Sequence, residues 1–159
     1  MKNKNEQMKD QISDAEKSVY LIDDSEINTK LLKQMMEYYA FKTLNRVCRV
    51  ETFSNAKDAF EAILVNTPDT VITDQRMPGM KGTDLVNAIL ESDQIISKPK
   101  IILLSGDTNL KEISDLRKAK HESVKAILDK TGHREQTYEM LNIVFDIQNK
   151  KIKPVHRRM

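Results

Sequence analysis

The sequence predicts an α/β fold: a five-stranded doubly wound parallel sheet, order 2-1-3-4-5, with helices on both faces. Three observations predict it. Short apolar runs alternate with stretches whose apolar residues recur at helical spacing, giving five strand–helix units. The first, third and fourth runs, "SVYLID", "DTVITD" and "KIILLSG", are close to continuously hydrophobic, as strands covered on both faces are. No internal repeat or Gly/Ser-rich linker divides the 159 residues, so one domain is expected. Right-handed crossovers then leave few ways of ordering the strands.

The elements follow in turn. Residues 1–17 form a polar N-terminal extension, with Met8, Ile12 and Ala15 at helical spacing. The domain proper spans 18–150, and its first strand runs from Ser18 to Asp23. A helix over 26–39 carries Ile27, Leu31, Leu32, Met35, Met36 and Tyr39 on its apolar face, capped by Asp24 or Ser25. "RVETF", 49–53, alternates like a second strand; some extra residues around "KTLNRVCR" lengthen that strand or form an exposed loop. Asn55 caps a second helix whose stripe is Ala56, Ala59, Phe60, Ile63 and Leu64. The third strand, 69–74, leads to a helix over 82–92 that groups Leu85, Ala88 and Ile89. The fourth strand, 100–106, leads to a helix over 109–119 with Leu110, Ile113 and Leu116 in phase. The fifth strand is "VKAILDK", 124–130. The last helix runs from near His133 to about Lys150 through Tyr138, Leu141, Ile143, Val144 and Ile147.

Composition excludes several classes. Hydrophobic residues make up 39% and charged ones 31%, the balance of a water-soluble globular chain. No apolar run approaches the roughly 18 residues of a membrane helix, and the polar N-terminus lacks the apolar core of a secretory signal. The single cysteine, Cys48, excludes an internal disulfide and fits a reducing cytoplasm. No Cys/His cluster has zinc spacing. The net charge of +2 conceals a basic end: the last ten residues, "KKIKPVHRRM", carry five Lys or Arg and no acid. Residues 151–159 read as a solvated basic tail, a type that can also meet an acidic partner.

In a doubly wound sheet the functional crevice lies beyond the carboxyl ends of the strands. Here the first strand ends in Asp23–Asp24, the third in Asp74, the fourth in Ser105–Gly106 and the fifth in Asp129–Lys130. Each is ordinary alone: an aspartate after a strand caps a helix, a serine beside glycine makes a turn, a lysine sits on the surface. Together they mark every strand except the second, which lies at one edge. Carboxylates so gathered repel by about 4 kcal/mol per pair at about 4 Å and an effective dielectric near 20. They stay ionised only beside a cation. Hard oxygen ligands with open water positions suit Mg²⁺, which also binds phosphate. With Lys130 as a point charge and Ser105 as a donor, the rim is a phosphoryl-transfer site. Asp74 is its nucleophile, forming an acyl phosphate on its own side chain.

The runs "VYLIDDSEINTKLLK", "VITDQRMPGMKGTDL", "IILLSG" and "AILDK" resemble the response-regulator receiver domain of two-component signalling, from about Ser18 to Lys150. The Asp-x-Arg-Met-Pro-Gly-Met-x-Gly stretch from Asp74 to Gly82 is among that family's more specific signatures. The resemblance implies a flavodoxin-like three-layer sandwich. It implies Asp74 as phosphoacceptor, and Mg²⁺ held by Asp23, Asp24, Asp74 and the backbone carbonyl of Arg76. Ser105 would contact the phosphoryl group, and Lys130 would pair with Asp74 before phosphorylation and with the phosphoryl oxygens after it. The donor would be a phosphohistidine on a sensor histidine kinase or a phosphotransfer protein. The chain would catalyse only its own phosphorylation and dephosphorylation. Its output would be contact with another protein, since the nine residues after 150 leave no room for a DNA-binding domain. Pro78, Gly79 and Gly82 fit as turn-makers.

The chain also departs from that pattern. Thr131 stands where the family usually has proline, and Ile127 where it often has an aromatic switch residue, so no ring swings inward behind Ser105. The Arg76 side chain and Asp107 are expected to pair over the phosphoryl pocket. Two rival readings remain. A phosphatase of the haloacid-dehalogenase type needs Asp-x-Asp after its first strand, whereas Asp23 and Asp24 are adjacent. A phospho-independent receiver-like module would bind a protein through its terminal segments.

Overall fold

The computed structural model describes residues 16–130 and 134–147. The expectations for Met8, Ile12, Ala15, Thr131, His133, Lys150 and the basic tail fall outside them. Strands and helices alternate: β1 (Glu16–Ile22), α1 (Glu26–Leu44), β2 (Val47–Phe53), α2 (Ala56–Val65), β3 (Thr70–Asp74), α3 (Gly82–Glu91), β4 (Lys100–Ser105), α4 (Lys111–Ala119), β5 (Val124–Asp129) and α5 (Arg134–Phe145). All strands are parallel, in the order β2-β1-β3-β4-β5. The strand order reverses beside β1, and there the crevice opens at the carboxyl ends.

The period-two alternation of the strands divides the core between two faces. Tyr20, Ile22, Val71, Ile101 and Leu103 join one cluster with Ala59 and Ile63 of α2, Leu85 and Ile89 of α3, and Ile113 and Leu116 of α4. Val19, Leu21, Ile72 and Ile102 join the other, with Met36 and Ala40 of α1 and Met140, Val144 and Phe145 of α5. Every residue of β3 is buried, so this central strand fixes the position of the turn at its carboxyl end. The two predicted caps form: Ser25 Oγ accepts from the Asn28 N–H at 3.4 Å, and Asn55 Oδ1 from the Asp58 N–H at 2.8 Å.

The structure corrects several expectations. β1 starts at Glu16, paired with Val47, so strand character begins two residues before Ser18. The extra residues near "KTLNRVCR" form no long loop. They lengthen both α1 and β2, leaving Asn45 and Arg46 between them, and Asn45 at φ 51° closes the helix in the left-handed region. Helix α4 begins at Lys111, with Leu110 at its cap position, and α5 ends at Phe145, followed by Asp146 at φ 53°.

The predicted face of α1 splits. Leu32, Met35 and Tyr39 pack with Met36 toward the sheet, but Ile27 and Leu31 are 72% and 62% exposed. Periodicity identifies a repeat; it does not say which stripe is buried when a helix carries two. Tyr138 of α5 is likewise exposed.

Candidate functional site

Backbone hydrogen bonds continue past the strands and set the heights of the rim residues. The Asp23 N–H donates to the Phe53 carbonyl at 3.1 Å, Gln75 N–H to Leu104 at 2.8 Å, and Lys130 N–H to Ser105 at 2.8 Å. Asp23, Asp74 and Ser105 are thereby buried at 6%, 4% and 1% exposure, while Asp24 is exposed. One carboxylate oxygen from each of Asp23, Asp24 and Asp74 lies within 4.8 Å of the others. Lys130 Nζ bridges two of them, donating to Asp74 Oδ2 at 2.8 Å and Asp23 Oδ2 at 2.9 Å.

Asp23 is fixed further by the Ser25 N–H, which donates to its Oδ1 at 2.8 Å. That bond and the Lys130 bridge hold Asp23 beside Asp74. Burial pushes the Asp74 carboxyl above its ordinary value, against the lowering pull of Lys130; the Asp23 charge adds to the rise. For Lys130, burial works to lower the pKa, but the hydrogen bonds to Asp74 and Asp23 outweigh it and the ammonium ends above its usual range. The site is thus a crowded carboxylate cluster held by one lysine. Its donor set, hard oxygens at one crevice edge, fits a small divalent cation such as Mg²⁺. Asp23, Asp24 and Asp74 would hold that ion. Arg76, whose backbone carbonyl the resemblance adds to the set, lines a cleft of about 460 Å³ together with Asp24, Gln75 and Lys81.

Ser105 reaches the rim differently. Its Oγ donates to the Asp107 carbonyl at 2.7 Å and accepts from the Asp107 N–H at 3.1 Å, so the hydroxyl is engaged by its own turn. The expected Arg76–Asp107 pair is absent: Asp107 Oδ1 accepts from the Asn109 N–H at 2.9 Å, and Arg76 is exposed. The short Asx-type turn satisfies Asp107 locally, and a salt bridge across solvent is too weak to displace it. Ile127 is half-buried and packs on the cluster of α2, α3 and α4.

Two residues support the turn after Asp74: Gln75, which has no legible signal in the sequence, and Gly82, which the sequence marks only as a turn-maker. Gln75, 1% exposed, clamps the start of α3: its Nε2 donates to Thr83 Oγ1 at 3.1 Å, and the Thr83 N–H donates to its Oε1 at 2.8 Å. A buried glutamine with both amide groups satisfied fixes the backbone beside Asp74. The second is Gly82: a Cβ there would lie 2.2 Å from the Asp74 carbonyl oxygen, so only glycine lets α3 approach so closely. Gly79, at φ 79°, makes the turn between them.

The family model for the response regulator receiver domain matches residues 19–142. A two-component response regulator of Oryza sativa, ORR6, is 30% identical over 91 residues, 57% of this chain and 51% of that protein. The polar-differentiation response regulator DivK of Brucella anthropi is 24% identical over 54% of this chain and 63% of its own length. The chain therefore matches about half to under two thirds of the length of these relatives. Among solved structures, the Vibrio cholerae chemotaxis protein CheY4 superposes with a TM-score of 0.65 at 22% identity, covering 82% of this chain and 99% of that one. A response regulator receiver protein of Pseudomonas putida gives 0.64 at 24%, covering 81% and 98%. These two structural likenesses show the fold.

Proposed function

Because the chain belongs to the response regulator receiver domain family, we propose that it is a phosphorylation switch, taking a phosphoryl group on Asp74 from a phosphohistidine donor. The observation that carries this reading is the Lys130 ammonium held between two buried carboxylates, 2.8 Å from Asp74 and 2.9 Å from Asp23, with Asp24 beside them. A purely structural salt bridge needs one acid per lysine; the surplus negative charge here asks for a second cation.

In this mechanism an Asp74 carboxylate oxygen attacks the phosphorus of a donor phosphohistidine. The P–N bond breaks, the imidazole leaves with the bonding pair, and an acyl phosphate remains on Asp74. Asp23, Asp24, Asp74 and the Arg76 backbone carbonyl would hold Mg²⁺, which when bound would supply charge neutralisation for the phosphoryl oxygens. Lys130 transfers its hydrogen bond from Asp74 to a phosphoryl oxygen. Ser105 leaves Asp107 and donates to another. That exchange biases the β4–α4 turn between two arrangements, and the readout is a changed protein contact rather than a product. The donor would be a sensor histidine kinase or phosphotransfer protein. The reaction would take place in the cytoplasm, and the switch would turn over no external substrate. Among the described residues no helix is long and apolar enough to cross a membrane.

The test uses a small phosphodonor, acetyl phosphate, with Mg²⁺ and intact-mass detection. Wild type gains one phosphoryl group, the gain disappears with a chelator, and Asp74→Ala gains none. Undiminished labelling of that variant would refute the assignment.

A further inference from the structure

Helix α1 is apolar on two opposite faces. One packs on the sheet through Met36 and Ala40. On the other, Ile27, Leu31, Tyr38 and Phe41 are 72%, 62%, 66% and 65% exposed. At 3.6 residues per turn these four fall within an arc of roughly 80° and run along about 21 Å of the helix. Single exposed apolar residues are normal; a continuous row of large ones marks a contact surface. Gln34 lies at the middle of the row. Lys30 and Glu37 share one flank of it.

We propose that this stripe is a homodimer interface, in which two copies pack α1 against α1, antiparallel, about a two-fold axis through Gln34. Self-complementarity selects a second copy as the occupant. That axis sets Ile27 of each copy against Phe41 of the other and Leu31 against Tyr38. Because a two-fold axis brings like flanks together, each Lys30 then faces Glu37 of the second copy, and the pair occurs twice. A parallel arrangement would set this flank against the opposite flank of the second copy, and Lys30 would not meet Glu37. The charges are ready for the antiparallel one. Lys30 is exposed, and Glu37 meets the Val50 N–H at 3.3 Å and Lys33 at 3.7 Å through Oε1, with Oε2 as a second acceptor. The interface is independent of the phosphoacceptor assignment.

A contact this small implies weak association, so the test is sedimentation equilibrium of the full chain up to about 300 μM. A reversible monomer–dimer equilibrium is expected, weakened at least about tenfold by Phe41→Asp. Lys30→Glu alone weakens it too, and Lys30→Glu with Glu37→Lys restores it. Under mild oxidation Gln34→Cys forms a disulfide-linked dimer, whereas Glu91→Cys, on an exposed position of α3, does not. Native Cys48 does not compete, being buried with its thiol pushed up to about 12 by burial and by the Glu37 charge. A monomer at every concentration overturns the proposal, including the case where another segment or another protein covers the stripe. So does a dimer indifferent to Phe41→Asp, or equal crosslinking at both introduced cysteines.

Discussion

Asp74 and Ser105 end neighbouring strands of one sheet, yet Asp74 sits in an ion network while Ser105 is turned onto its own loop. Lys130 binds Asp74 and Asp23 together across the carboxyl ends of several strands. The Ser105 hydroxyl makes both a donated and an accepted hydrogen bond with Asp107, two residues along. The difference follows from charge. Two buried carboxylates cannot sit close without a cation, so that half of the rim is organised before any phosphoryl group arrives. A hydroxyl needs only a donor and an acceptor, and a local turn provides them at little entropic cost. One half is therefore held ready by electrostatics, and the other is free to be recruited.

Asp74→Ala removes the proposed nucleophile, and Mg²⁺-dependent labelling should fall to background. Lys130→Met keeps the stem of the side chain but removes the positive charge between Asp23 and Asp74. Labelling should slow by about a hundredfold, the scale of losing one preorganised charge stabiliser. The same variant should melt lower than wild type in chelator and gain more in melting temperature from added Mg²⁺, since the lysine no longer holds the carboxylates. Equal Mg²⁺ shifts in the two proteins would show that Lys130 does not organise the acidic half.

Ser105→Ala sharpens the contrast. Labelling should slow by roughly tenfold, the size of one hydrogen bond to a charged group, while Mg²⁺ affinity stays at the wild-type value. A Mg²⁺ affinity that fell with Ser105 would join the two halves into one unit.

The smallest effect concerns pH. Burial raises the folded Asp74 pKa above its ordinary 3.8. A carboxyl raised on folding adds stability only while protonated; that contribution is complete below the ordinary value and is lost as pH rises through the folded pKa. Asp74→Asn has no such group. In chelator, its melting temperature relative to wild type should therefore climb as pH rises from mild acid toward neutrality, then level off. A flat difference across that range would mean Lys130 cancels the burial cost in full.

Much of this was legible in the sequence, for identifiable reasons. The order of the sheet follows from two-faced apolar strands such as "VITD" and from the handedness of crossovers, both of which are local or universal. Asp23, Asp24, Asp74, Ser105 and Lys130 were readable as a group because strand ends in such a sheet share one rim. The second partner of Lys130, Asp23, was not, since a strand end gives a height and not a side-chain path. The Gln75–Thr83 clamp has no period or motif and exists only once α3 folds back on β3. The apolar face of α1 misled because Ile27 and Leu31 are in phase with the buried row's opposite side, and spacing alone cannot choose between two stripes. Arg76 and Asp107 were expected to meet from their positions, but a local turn satisfies Asp107 first.

The most direct test is a crystal structure of the chain with Mg²⁺ and beryllium fluoride, a mimic of the phosphoryl group. The account predicts the fluoride adduct on Asp74, the ion on Asp23, Asp24, Asp74 and the Arg76 carbonyl, Lys130 on the adduct, and Ser105 Oγ moved from Asp107 onto it. An adduct elsewhere, or an ion that leaves Asp23 and Asp24 unligated, would contradict it.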